Sequence, residues 1–320
     1  MLSTDESIRI FSGNANPGLA REVAEHLKIR LGQSLVSTFA DGEVQVSIEE
    51  SVRGKDVYVL QSLARPVNDG IMEMLVMVDA LRRSSARSIT AVLPYYAYAR
   101  QDRQARPRTP ITAKLFADLL TASGVDRVMA MDLHAGQIQG FLSVPFEHLY
   151  ATPVLLQAMR GCVEGTASET SVVVSPDAGG VERARVYSNK LACGLAVIDK
   201  RRLRPNVAEV MNVIGDVEGK DAFIVDDIID TAGTLCNAAK ALRDNGARRV
   251  FAFATHGLLN GPAAERINSS ELTKVFVTNT LPVSGEKIGC DRVEVLSVGK
   301  VIGEAIHRVH GEASVSSLWT

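Results

Sequence analysis

The chain has 320 residues, 46% hydrophobic and 22% charged, which is enough for two domains with a core each. A formal net charge of −2 leaves no basic excess for a nucleic-acid partner, and 5% aromatics are too few for base-stacking platforms. Cys162, Cys193, Cys236 and Cys290 lack C-x-x-C spacing, no apolar run reaches membrane-spanning length, and the N-terminus is polar and acidic, so a reduced, soluble, cytoplasmic protein is expected.

Residues 8–11 read as a first strand, followed by Ser12-Gly13-Asn14-Ala15-Asn16-Pro17-Gly18 and an amphipathic helix over 19–31. Residues 35–39 and 44–48 are short strands around the turn Ala40-Asp41-Gly42-Glu43. An apolar strand over 57–60, a methionine-rich helix over 70–83 and a strand over 89–93 follow. Strands alternating with helices of this length predict a mainly parallel α/β fold.

The same order then recurs. Val52-Arg53-Gly54-Lys55-Asp56-Val57-Tyr58-Val59-Leu60 aligns with Val217-Glu218-Gly219-Lys220-Asp221-Ala222-Phe223-Ile224-Val225. Residues 80–87 match 241–248, and the loop and helix after Ser12 resemble those after Ser175. Constant order at near-constant spacing predicts two tandem copies of one α/β domain, over 1–149 and 150–305, with 306–320 packing back on the first.

The second copy carries the strongest chemical signal. Residues 222–225 form an apolar strand ending at Asp226-Asp227, and Ile228-Ile229-Asp230-Thr231-Ala232-Gly233-Thr234 leads to a helix from Leu235 that Gly246 stops. A turn entering a helix N-terminus offers free N–H groups and a favourable dipole to a phosphate. The two carboxylates suit vicinal hydroxyls or a hydrated Mg2+. Phosphate beside hydroxyls describes a sugar phosphate. In the first copy Gln61 and Ser62 replace the two aspartates and Arg65-Pro66 interrupts the turn, so that copy kept the scaffold and lost the site.

Four further stretches carry chemistry. Residues 128–141, read as a hinge between the copies, place Asp132 and His134 at alternate positions past a strand, either as a metal pair or as hydrogen-bonding groups. Mg2+ prefers oxygen to imidazole, which favours the second option. Tyr95 to Arg108 concentrates arginines and tyrosines suited to phosphate and base, or forms a solvated loop. Asp177 ends a strand ahead of Gly179-Gly180, at the usual ligand edge of an open sheet. Lys200-Arg201-Arg202 and Arg204 precede a polar segment and describe a flap over phosphates, or a solvated charged face. Neither G-x-x-x-x-G-K-[ST] nor a G-x-G-x-x-G after a strand is present, so a nucleotide would bind outside the commonest phosphate loops.

Taken together, Asp132-Leu133-His134-Ala135-Gly136-Gln137-Ile138-Gln139-Gly140-Phe141 and the stretch from Asp226 to Thr234 resemble the ribose-phosphate diphosphokinases, along essentially the whole chain. The resemblance implies two tandem type I phosphoribosyltransferase-like domains, each a mainly parallel sheet flanked by helices. It implies transfer of the diphosphoryl group of MgATP to the 1-hydroxyl of ribose 5-phosphate. Lys200 and Arg202 match the catalytic flap. Arg202, Asp226, Asp227, Asp230, Thr231, Ala232, Gly233 and Thr234 match the ribose 5-phosphate site. Phe39, Asp41, Gly42 and Glu43, from a neighbouring subunit, match a segment contacting ATP, as do Arg100 and Gln101. His134 and Asp177 match metal positions for Mg2+. Ser51, Arg53, Ser314 and Ser316 match sites for phosphate or ADP as effectors, and a homo-oligomer, usually a hexamer, is implied. Gln104, Pro107 and Thr109 depart from the family pattern in the arginine loop, and Ser143 stands where many relatives have aspartate. Two rivals share parts of this pattern: a phosphoribosyltransferase, which needs a base-binding hood, and a non-catalytic synthetase-associated subunit, which needs erosion at the flap or the acidic pair.

Overall fold

The structure, a computed structural model, describes residues 7–201, 210–283 and 289–319. Among these, residues up to Tyr150, with Thr280–Pro282 and those from Ser297 onward, form one compact unit; Ala151–Asn279 and Val283–Leu296 form the other.

The first unit runs β1 (Ile8–Ser12), α1 (Pro17–Leu27), β2 (Ser34–Thr38), β3 (Val44–Ile48), β4 (Asp56–Leu60), α2 (Val67–Arg83), β5 (Ser88–Leu93), α3 (Thr112–Ser123), β6 (Arg127–Met131) and β7 (Phe146–Leu149). Its main sheet is ordered β1-β4-β5-β6-β7 and every pairing is parallel. Val57, Val59 and Leu60 of β4 and Ile89, Ala91 and Leu93 of β5 are buried, as strands covered on both faces must be. α1 starts on Pro17, whose missing N–H costs nothing there, and the Asn16 side chain accepts from Leu19 N at 3.3 Å. β2 and β3 pair antiparallel as a separate hairpin.

The second unit runs α4 (Thr152–Cys162), α5 (Ala167–Thr170), β8 (Ser171–Ser175), α6 (Val181–Leu191), β9 (Gly194–Arg201), β10 (Val210–Ile214), β11 (Asp221–Ile229), α7 (Gly233–Asp244), β12 (Arg249–Gly257), α8 (Ala263–Asn268), β13 (Lys274–Thr278) and β14 (Val293–Leu296). Its sheet is ordered β10-β9-β8-β11-β12-β13-β14, parallel except for β10 against β9. Alternate residues pack opposite faces. Val172, Val174, Ala222, Ile224, Ala252 and Val275 fill one, while Phe223, Phe253 and Phe276 form a ring ladder with centroids 5.7 and 4.8 Å apart.

The strand orders β1-β4-β5-β6-β7 and β8-β11-β12-β13-β14 are the same order twice. The repeat extends to single hydrogen bonds. Gly54 N donates to Ser85 O and Arg87 N to Lys55 O; in the second unit Gly219 N donates to Gly246 O and Arg248 N to Lys220 O. Arg87 grips Asp56 with both arms of its guanidinium, and Arg248 grips Asp221 in the same way.

The structure corrects three expectations. The last segment, α9 (Gly299–His310), belongs to the first unit, so the second ends at Leu296 rather than 305. The cause is packing: Ile302, Ala305 and Ile306 are buried, and Gly303 lets α9 approach the His26 ring of α1. Residues 128–141 lie inside the first unit, because β6 pairs with both β5 and β7. β11 continues past Asp226-Asp227 to Ile229, since the long β12 supports it in register as far as Ile229 opposite Gly257.

Candidate active site

In the second unit, β8 leads through α6 to β9 on one side, while β11 leads through α7 to β12 on the other. The direction of winding therefore reverses between β8 and β11, and the carboxyl ends of those strands border the crevice where open α/β sheets hold ligands. β8 accompanies β11 only as far as Ile224 opposite Val174. Asp226 and Asp227 lie beyond that point, paired on one side only.

Successive strand residues point to opposite faces, yet both carboxylates reach one guanidinium. Arg183 Nη1, from α6, is 3.1 Å from Asp227 Oδ1 and 3.5 Å from Asp226 Oδ1. Asp227 is buried, whereas a third of the Asp226 side chain is open to solvent. Asp226 Oδ1 also accepts from Asp227 N at 2.9 Å. Burial, reinforced by the Asp227 carboxylate, pushes the Asp226 carboxyl well above the usual carboxylate range against the opposing pull of Arg183. Such a pair has excess negative charge to share with hydroxyl donors or a cation.

From Ile229 the chain turns through Asp230, Thr231 and Ala232 into α7. Ala232 is left-handed (φ 58°), a conformation costing a non-glycine residue roughly 1–2 kcal/mol, and α7 has no side-chain cap. Its first N–H groups are thus left open to an anion. The turn is braced from the neighbouring loop: Asn260 Nδ2 donates to Asp230 Oδ1 at 2.8 Å, and Asn260 N to Asp230 O at 3.0 Å. Arg266 Nη1, from α8, donates to Thr231 O at 2.9 Å. Gly233 leaves room beside it: a Cβ there would lie 3.1 Å from Arg266 Nη1, so the guanidinium would have to give by a few tenths of an ångström.

Asp177 follows β8 and is exposed; its Oδ1 accepts from Gly180 N at 3.0 Å while Ser175 Oγ donates to Asp177 O at 2.7 Å. Lys200 lies in β9 opposite Met211 of β10, beyond Val197, which pairs with Ser175. Asp177, Lys200 and the acidic pair therefore share the carboxyl edge of one sheet. Arg202 lies outside the described residues.

The remaining expected site residues belong to the first unit. Phe39, Asp41, Gly42 and Glu43 form the exposed tip of the β2–β3 hairpin, closed by Phe39 N to Glu43 O at 2.8 Å. Arg100 and Gln101 are exposed ahead of α3, where Gln101 Oε1 accepts from Thr112 Oγ1 at 2.7 Å. The arginine loop reaches the histidine segment through Gln137 Nε2 to Asp102 Oδ2 at 2.9 Å. Tyr95 and Tyr96 are core residues instead of base-facing ones; Tyr96 donates to Ala113 O and meets Phe116 edge-on. His134 is exposed, but Asp132 turns left-handed (φ 38°), so the strand alternation expected of the two residues is broken. Ser314 and Ser316 meet through their hydroxyls at 2.9 Å, and Arg53 Nη1 donates to Ser85 Oγ at 3.2 Å, with Ser51 exposed.

In the first unit the counterpart of the acidic pair is filled. Gln61 Nε2 donates to Glu73 Oε2 at 2.6 Å, Asn14 N to the same carboxylate at 3.0 Å, and Asn16 Nδ2 to Ser62 Oγ at 3.1 Å. Arg183, Asn260 and Arg266 were not legible as site residues in the sequence. Asn260 alone had a signal, since it follows the carboxyl end of a parallel strand.

Tandem parallel α/β units, with an acidic strand running into an uncapped helix, define a class of enzymes that bind a sugar phosphate. The comparisons with known proteins narrow the class. Residues 8–124 match the N-terminal domain of ribose phosphate pyrophosphokinase, and residues 200–320 the phosphoribosyl synthetase-associated domain. A ribose-phosphate pyrophosphokinase of Aquifex aeolicus is 55% identical over 98% of this chain and 99% of its own length. One from Bacillus subtilis is 54% identical over 99% of this chain and 98% of its own. The crystal structure of phosphoribosylpyrophosphate synthetase from Mycobacterium smegmatis superposes with a TM-score of 0.89 at 41% identity, covering 96% of this chain and all of that one. The chain belongs to the ribose-phosphate pyrophosphokinase family.

Proposed function

We propose that this protein transfers the β,γ-diphosphoryl group of ATP to the 1-hydroxyl of ribose 5-phosphate, giving 5-phosphoribosyl 1-diphosphate and AMP for nucleotide biosynthesis. The hydroxyl oxygen attacks the β-phosphorus, the bond between that phosphorus and the α,β-bridging oxygen breaks, AMP leaves, and the hydroxyl proton passes to water. The observation carrying the reading is the β11–α7 passage, where paired carboxylates and uncapped helical N–H groups stand one short turn apart.

The 5-phosphate sits on the turn from Asp230 to Thr234, and the ribose hydroxyls donate to Asp226 and Asp227. Lys200 and Arg202 approach the transferring group from the flap and neutralise charge that grows on it. Phe39, Asp41, Gly42 and Glu43 of a second copy, with Arg100 and Gln101, hold the nucleotide. That assignment makes the working protein a homo-oligomer, a hexamer by family resemblance. Ser51, Arg53, Ser314 and Ser316 take phosphate or ADP as effectors.

The donor groups fit a Mg2+ ion shared with ATP. Among the described residues no three His, Cys, Asp or Glu side chains cluster closely enough to cage a metal. Mg2+ keeps several waters and needs only one or two carboxylates beside substrate phosphates, which Asp177 and the acidic pair supply, with His134 on the nucleotide side. Bound Mg2+ would offset charge on the phosphate oxygens.

Phosphorus NMR of the protein with MgATP and ribose 5-phosphate tests the reaction. Equal amounts of AMP and a C1-diphosphate ester are expected; ADP, or no turnover, would sink the reading. Lys200→Ala should lose most turnover while still binding ribose 5-phosphate, and weakened sugar binding with normal turnover at saturation would contradict its role.

A further inference from the structure

At the end of β6 the chain leaves the sheet abruptly. Asp132 N donates to Leu149 O at 2.9 Å, and the left-handed Asp132 then swings Leu133 and exposed His134 onto a turn. Such a conformation persists in a non-glycine residue only where its surroundings hold it. The hold comes from β7: Leu133 N donates to His148 Nε2 at 3.0 Å. A ring nitrogen that accepts an amide hydrogen bond carries no proton, so His148 is the neutral tautomer protonated at Nδ1. That N–H donates to Tyr150 Oη at 3.2 Å. The imidazole is also fixed from both sides. Its ring centroid lies 4.4 Å from that of Tyr150 and 6.3 Å from that of Phe146, and Trp319 meets Tyr150 edge-on at 5.6 Å.

We propose that His148 is a positioning residue for the reaction: its Nε2 lone pair fixes the Asp132–His134 turn and so presents His134 to the ATP side of the chemistry. The inference rests on the assignment of His134 given above. His148 touches no substrate and acts through the Leu133 amide. The packed rings fix where the lone pair points, and the lone pair fixes the turn. Supports of this kind commonly change activity about 10–100-fold when removed.

Two variants separate the acceptor from the packing. His148→Phe keeps a ring packed between its neighbours and removes the acceptor, whereas His148→Gln restores an oxygen that can take the amide hydrogen bond. In His148→Phe, kcat/KM for MgATP should fall by at least about tenfold with KM for ribose 5-phosphate unchanged, and hydrogen exchange at the Leu133 amide should speed up at least about tenfold. His148→Gln should keep the Leu133 protection and stay within about threefold of the parent in turnover. Parental kinetics in His148→Phe would overturn the proposal. So would equal losses in both variants, or a rise in KM for ribose 5-phosphate matching the loss with MgATP. If His148→Phe fails to fold, His148→Gln decides alone, because protection kept with activity lost is also contrary. His134→Ala, assayed alongside, separates the two levels. Undiminished turnover there removes the role of His134 itself, whereas an inactive His134→Ala beside a fully active His148→Phe overturns only the role of His148.

Discussion

Asp226 and Asp227 hold two negative charges against one another in a partly buried site, with the Arg183 guanidinium 3.1 Å from one and 3.5 Å from the other. Because burial and Asp227 raise the folded-state pKa of Asp226, the folded protein binds its proton more tightly than the unfolded chain does. Stability from this group is therefore fully present at low pH and is lost as pH rises through the folded value. Asp226→Asn should flatten that dependence, raising urea resistance near about pH 8 more than near about pH 5, while weakening ribose 5-phosphate binding. An equal gain at both pH values would show that the pair is not strained by charge. Arg183→Gln should act oppositely, leaving the two carboxylates without that partner. A further rise in the Asp226 pKa, followed by carbon-13 NMR of the carboxyl group, would check it. The acidic pair could be read from the sequence because two aspartates interrupt an apolar strand. Arg183 could not, since a long cation on a helix gives no sign of which strand it will reach.

The functional turn is shaped by elements that contribute nothing to its sequence signature. The loop after β12 and helix α8 supply Asn260 and Arg266, which fix Asp230 and Thr231 from outside. Arg266→Ala should lower ribose 5-phosphate affinity roughly tenfold, the size expected for losing a hydrogen bond to a charged donor, with little change in turnover at saturation. Calorimetric titration of the sugar phosphate would measure it, and unchanged affinity would remove the bracing role. Element order and the repeat were legible because period-2 apolar runs and glycine-stopped helices are local signals. The length of β11 was not, because its last residues are held by the length of its neighbour rather than by their own pattern. The alternation of Asp132 and His134 failed for a related reason: a hydrogen bond donated by Leu133 N to His148 of β7 bends the chain where local propensity would have let it run straight.

Across the molecule, the two units keep one scaffold and divide its uses. The clearest shared feature is a carboxylate at the amino end of β4 and of β11. In the second unit Asp221 is completely buried and takes both guanidinium forks, at 2.9 and 2.6 Å from Arg248 and at 3.0 and 2.6 Å from Arg249. Burial works to raise its pKa, but the two arginines overcome it and hold the carboxyl below its ordinary value. Its contribution is thus present above the unfolded pKa of about 3.9 and lost as pH falls through the folded value. Asp221→Asn should cost about 3 kcal/mol near neutral pH and less under strongly acidic conditions, as measured by denaturant unfolding. The first unit answers the same need differently: Ser88 stands in place of Arg249, and His310 of α9 approaches Asp56 at 3.1 Å.

The seat of α9 also sets a schedule for a chain made from its N-terminus. The unit synthesised first takes its last helix from residues 299–310, which leave the ribosome after the whole of the other unit. At roughly 5–20 residues per second, the apolar face of α1 waits on the order of tens of seconds for its cover. Ile306→Ala, which empties a fully buried position of α9, should cost about 3 kcal/mol of stability. Released chains truncated just before Gly299 should show a protease-resistant second unit and a susceptible first one. The half begun earliest is the half finished last.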